Sequence, residues 1–259
     1  MPVITIPPDE IIHFVIILLR VSGIVIFAPF FGSPSIPYQV RIAFALVTSL
    51  LMTHLLPLNF ISNGLGLADL TLIFIGETIS GMILGLAANL VFAGLQYAGQ
   101  LISFQLGFSL INLIDPQTNV ESPVFSFIHN YIGLLLFLLL NGHHWFLRAV
   151  NESFQFMPVG GIQIQPSLVE HFISLSSQIF AIGLRIAGPV IVVTIITDIV
   201  IGIIGRAAPQ LHILILGLPL KLLVGFSCLS FSLYFIPNYM KNVFASLFKT
   251  IFSLVHTMS

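Results

Sequence analysis

Charge is what this sequence most lacks. Of 259 residues, 8 are Lys or Arg and 9 are Asp or Glu, 7% of the chain together. Soluble domains carry about 25%, so too few charged side chains are present to cover a water-facing surface. Soluble enzymes, nucleic-acid binders and disordered chains are excluded on that ground. The cations are scattered singly and make no basic patch for nucleic-acid phosphates or acidic headgroups. Cysteine is nearly missing as well. Cys228 stands alone, which rules out an internal disulfide and a thiolate metal cluster. The first apolar run, 11–31, follows Asp9 and Glu10 where a secretory signal places Lys or Arg, and it holds no small-residue cleavage site. It is expected to remain as a helix. No charged or Pro/Gly/Ser-rich linker divides the chain, so a single domain over 1–259 is expected. Alternating strand patterns are also missing, which argues against a β-barrel.

What is abundant is apolar sequence: 57% hydrophobic residues and a mean hydropathy of +1.10. Stretches free of Asp, Glu, Lys and Arg run over 21–40, 42–68, 78–114, 122–147, 153–169, 186–197, 207–220 and 222–240. A helix crosses a bilayer with about 20 apolar residues. Helices are therefore expected near 11–31, 40–57, 68–112, 122–150, 168–205 and 210–256, an all-α integral membrane protein. Basic residues favour neither set of loops, so orientation stays open. As one helix, 78–114 would be about 55 Å long against a hydrocarbon core of about 30 Å. It must break, tilt steeply or leave the membrane. Prolines such as Pro29, Pro37, Pro57, Pro189, Pro219 and Pro237 at and inside the segments suggest packing through broken helices.

Four charges stand out. Arg20 sits in the middle of the first apolar run, Glu77 near the head of the long one, and Arg185 and Asp198 interrupt the fifth. Each costs about 2.5–3.5 kcal/mol at a bilayer centre, so all four are expected as buried charges, paired within protein or facing water. Arg185 and Asp198 would lie about 20 Å apart along one helix, so each should find its partner in another segment. A small and polar stripe runs through Gly81, Gly85, Asn89, Ala93, Gln96, Gln100, Ser103 and Gly107 at steps of three and four. It suits either a close helix contact within the chain, or a seam against other subunits or a hydrated pore. It leads to an apolar loop that ends in the turn signal Asp115-Pro116. That loop is either a buried connection or a constriction. His143 and His144 are adjacent, without the i, i+4 spacing of a zinc helix. No acid pair, nucleophile–base pair or phosphate loop is present, and no metal or cofactor is expected.

In order along the chain stand Arg20, Pro29, Gly32, Pro37, Arg41 and Pro57; then Ala98-Gly-Gln-Leu-Ile-Ser-Phe-Gln-Leu-Gly107 running on to Asp115-Pro116; then Leu140-Asn-Gly-His-His-Trp145 with Ser153-Phe-Gln-Phe-Met-Pro158; and last Gly205-Arg-Ala-Ala-Pro-Gln210 with Gly217-Leu-Pro-Leu-Lys221. These ordered blocks cover most of the sequence and resemble the flagellar biosynthetic FliR family, the R subunits of type III export gates. The Asn-Gly-His block leans toward that flagellar branch over the homologous T subunit of virulence-type systems. The resemblance implies a subunit without enzymatic activity, in the bacterial inner membrane within the flagellar basal body. It implies broken helical hairpins, with a P-like part over about 1–205 followed by a Q-like part over about 206–259. The implied partners are several copies each of FliP and FliQ, with FlhB at the cytoplasmic entrance, and unfolded flagellar proteins as transient substrates. The stripe Gly81, Gly85, Asn89, Gln96, Gln100, Ser103 and Gly107 then becomes a subunit packing seam. Leu110, Ile111, Asn112, Leu113, Ile114, Asp115, Pro116 and Gln117 become an apolar channel plug. Two other classes remain: a secondary transporter using Glu77, Arg185 and Asp198, and a membrane enzyme built on His143 and His144.

Overall fold

A computed structural model describes residues 7–29, 31–32, 36–56, 66–108, 124–157, 159–160, 166–208 and 213–258. Among them the structure is helical, with no strand. The helices are α1 (Pro8–Phe27), α2 (Tyr38–Leu55), α3 (Leu67–Gln105), α4 (Val124–Leu139), α5 (Gly142–Phe156), α6 (Pro166–Ala207) and α7 (Ile213–Met258). Five of them, α1, α2, α3, α6 and α7, are long and apolar enough to cross a membrane, and α4 with α5 adds a sixth if the bent pair is one span. The chain is an all-α, multi-pass membrane protein.

Local chemistry sets the helix ends. Pro8 opens α1, where its missing N–H costs nothing, and Asp9 and Glu10 sit in the first turn against the positive end of the dipole. Ala28 is extended ahead of Pro29, and Leu56 is extended ahead of Pro57, because proline disfavours the helical region for the residue before it. At the end of α3, Gly107 takes φ +87. Its N–H donates to Phe104 O at 3.1 Å, and the Phe108 N–H donates to Ser103 O at 3.1 Å. This is a Schellman cap that uses glycine's freedom at C′.

Two expectations need correction here. The segment 122–150 is two helices, not one: Asn141 adopts φ +57 between α4 and α5, a conformation that Asn tolerates better than most residues. The prolines, by contrast, do not interrupt. Helix α6 continues through Pro189, and α7 continues through Pro219 and Pro237, as apolar helices can when neighbours or adjusted geometry satisfy the freed carbonyls. Helix α3 is likewise unbroken over 39 residues, nearly twice a membrane span. Within 78–114 the helix ends at Gln105 and is capped at Gly107, and 109–114 lie outside the described residues.

The fold divides into two compact units. Unit 1 comprises Met1–Leu90, Asn141–Leu175 and Ala245–Ser259; unit 2 comprises Val91–Leu140 and Ser176–Phe244. In unit 1, α1 packs against α2 and buries Ile16, Ile17, Val21, Ile24 and Val25. Phe31 stacks on Phe44 with centroids 4.1 Å apart, and Trp145 of α5 stacks on Phe248 of α7 at 5.3 Å. In unit 2 a core of Ile102, Leu106, Phe125, Ala187, Val190 and Leu229 joins α3, α4, α6 and α7. Phe92, Phe137 and Phe244 meet beside it, each pair of centroids within 5.9 Å.

Candidate functional site

In lipid, apolar burial does little to drive helices together, so close packing and polar contacts must do it. Unit 1 shows both at one crossing. A Cβ on Gly81 of α3 would collide with Arg20 O, and one on Gly85 would come within 2.7 Å of Ile24 O. From the other side, a Cβ on Gly23 of α1 would lie 2.9 Å from Thr78 O. The backbones of α1 and α3 thus approach as closely as glycine permits.

That approach brings Arg20 onto Glu77. The guanidinium meets the carboxylate with two arms, Nε to Oε2 at 2.5 Å and Nη2 to Oε1 at 2.9 Å. Its remaining nitrogen, Nη1, donates to Ser153 O at 2.8 Å and Met157 O at 3.0 Å. These are carbonyls at the C-terminal end of α5, where the helix dipole favours a cation; Ser153 O shares itself with the Met157 N–H at 3.0 Å. The Phe154 ring lies under the guanidinium, 4.1 Å from centroid to Cζ. Glu77 Oε1 also accepts from the Gly160 N–H at 2.9 Å. Arg20 is 0% and Glu77 2% exposed, so the pair itself is dry, while Gly160 at its edge is exposed. Removing one partner from such a pair costs about 3–5 kcal/mol, because the other charge is left uncompensated.

Asp198 and Arg185, expected among the buried charges, are both exposed on this chain. Asp198 accepts from Lys221 Nζ of α7 at 2.7 Å, a partner from another segment that the sequence did not single out. Arg185 lies away from it, on the outer face of α6. The residues of the small-residue stripe find different surroundings within this chain. Gly81 and Gly85 are used up inside the chain against α1, and Gly107 caps α3. Gln96 and Gln100 remain exposed, Asn89 is half-buried and Ser103 is buried. Gln96 donates to Asn130 Oδ1 at 3.2 Å, and its carbonyl accepts from Ser126 Oγ at 2.9 Å, both from α4. The plug residues Leu110–Gln117 lie outside the described residues. The rings of His143 and His144 stand 4.3 Å apart, and among the described residues no three His, Cys, Asp or Glu side chains gather as metal ligands.

The other prominent feature is uncovered apolar surface. Only 28% of the most apolar stretch of α6 and 17% of that of α7 are buried. Val192, Ile199 and Ile203 of α6 and Leu223, Phe231 and Tyr234 of α7 are each more than half exposed. Lipid or other protein must cover these faces.

The arrangement therefore pairs charges for structure, assembles no reactive centre among the described residues, and leaves broad apolar faces open. Comparison with known proteins agrees with a chain built on this plan. Residues 11–247 match the model of the bacterial export proteins, family 1. The flagellar biosynthetic protein FliR of Bacillus subtilis (strain 168) is 32% identical over 250 residues, covering 93% of this chain and 94% of that protein. FliR of Escherichia coli (strain K12) is 29% identical over 242 residues, 92% of this chain and 90% of its own length. FliR of Aquifex aeolicus (strain VF5) is 29% identical over 241 residues, covering 92% and 93%. A match of this extent shows that the chain belongs to family 1 of the bacterial export proteins, the family of the flagellar biosynthetic protein FliR.

Proposed function

We propose that this chain is a non-enzymatic, channel-forming subunit of the flagellar type III export gate in the bacterial inner membrane. It assembles with several copies each of FliP and FliQ, meets FlhB at the cytoplasmic side, and passes unfolded flagellar proteins. The single observation that carries the proposal is the chain-long match to flagellar relatives. The uncovered apolar faces of α6 and α7 give such a subunit surface for partner helices as well as for lipid. Two of the three charges a transporter would use are already engaged: Glu77 holds Arg20 and Gly160, and Asp198 holds Lys221.

In this account the P-like part precedes the Q-like part near residue 205, and Leu110–Gln117 close the idle channel. Bulky apolar side chains in a narrow ring exclude water and with it ions. Deleting the gene in its own host tests the role. Loss of swimming, with flagellar proteins retained in the cell rather than exported, is the expected result. A deletion strain that still swims and instead loses secretion of other proteins would move the chain to the virulence-type branch. A strain that does both normally would overturn the proposal.

A further inference from the structure

Arg20 does more than pair with Glu77. Two of its four hydrogen bonds go to backbone carbonyls at the end of α5, and Glu77 in turn holds the backbone of the turn at Gly160. Each side chain is thus divided between its partner and the Asn141–Gly160 region. We propose that the Arg20–Glu77 pair is a latch: it holds the C-terminal end of α5 and the Val159–Gly160 turn closed onto α1 and α3, and this end opens as a local unit when the pair is broken.

The geometry separates this from a simple ion pair. The ion pair alone needs one cation and one anion on α1 and α3, in either order. The latch needs the donor on α1 and the acceptor on α3. Only a guanidinium at position 20 has a third nitrogen to spare for Ser153 O and Met157 O, and the Gly160 N–H needs an acceptor oxygen at 77, which an arginine there does not have. Gly160 itself holds φ +76 and is exposed, and a Cβ there would meet the Ile73 side chain of α3 at 3.3 Å. Because Arg20 and Glu77 are dry, opening requires water or substitute partners to reach groups that have none in reserve. The latch is therefore closed by default and independent of any export role.

The test uses the full chain in native membranes with Cys228→Ala, so that introduced thiols report alone. Val159→Cys, at a half-buried site in the turn, reports the latch. Ser49→Cys, at a buried site on α2 in the same unit, reports general loosening. Reaction with a membrane-permeant maleimide is followed in each, with Arg20→Gln, Glu77→Met, or the swap R20E/E77R added. The latch predicts that all three raise labelling at 159 by about tenfold or more, as local opening does, and leave labelling at 49 unchanged. Restoration of protection by the swap would show that only the ion pair matters and would overturn the latch. So would unchanged labelling at 159, or an equal rise at both sites, which would mean that the whole unit loosens.

Discussion

Glu77 on α3 faces Arg20 on α1 across a crossing lined by Gly23, Gly81 and Gly85, with neither side chain more than 2% exposed. The glycines and the charges form one device. Without the close approach the guanidinium could not span from Glu77 to the end of α5, and without the pair neither charge could be held in an apolar interior.

Gly81→Ala should therefore be costly. Its Cβ would strike Arg20 O, which is backbone and cannot rotate away. Overpacking of this kind costs about 1–3 kcal/mol, and here it also lengthens the ion pair. Gly188→Ala on α6 is the contrast, since nothing lies within 4 Å of an added Cβ, and its effect should stay within about 0.5 kcal/mol. Thermal unfolding of both variants in mild detergent checks the difference.

Asp198 and Lys221 should behave as a coupled pair at the level of insertion. Asp198→Asn or Lys221→Met leaves one charge alone on an apolar face, at up to about 2.5–3.5 kcal/mol. The double variant removes both charges and should accumulate in membranes nearer the wild-type level than either single one. Quantifying membrane-integrated protein tests this, and additive losses would show that the contact contributes nothing.

Arg185→Ala should leave the isolated chain unchanged, because the side chain is exposed and makes no described ion pair. If α6 faces partner subunits, the same substitution should lower the yield of the purified complex and reduce swimming. Normal assembly and motility would place Arg185 outside any interface.

Deleting Leu110–Ile114 should leave the assembly intact and make the membrane leaky, since the apolar closure is removed while the packing helices remain. Ion conductance of the purified assembled variant measures this directly. Conductance equal to that of the intact assembly would rule out the plug.

Much of the fold was legible because apolar segment length reports membrane helices directly. The ends of α1 and α2 were marked by Pro29 and Pro57. The break at Asn141 was signalled by Asn141-Gly142, a turn dipeptide, but the apolar sequence on both sides hid it. Prolines in α6 and α7 misled in the opposite direction, because a proline in an apolar helix costs only what its neighbours fail to compensate. For the site, composition flagged Arg20 and Glu77 singly as misplaced charges. Their pairing spans 57 positions, and no periodicity links residues that far apart. The carbonyls of Ser153 and Met157 leave no trace in side-chain identity at all. The stripe on α3 was visible, but a small residue shows only that something comes close. It took the structure to show that α1 fills Gly81 and Gly85.

The most direct measurement is native mass spectrometry of this chain co-expressed with the FliP and FliQ of the same organism and purified in mild detergent through a tag on this chain alone. The account predicts a single stable species with one copy of this chain and several of each partner. A monodisperse lone protein, with FliP and FliQ left behind in the same extract, would contradict it.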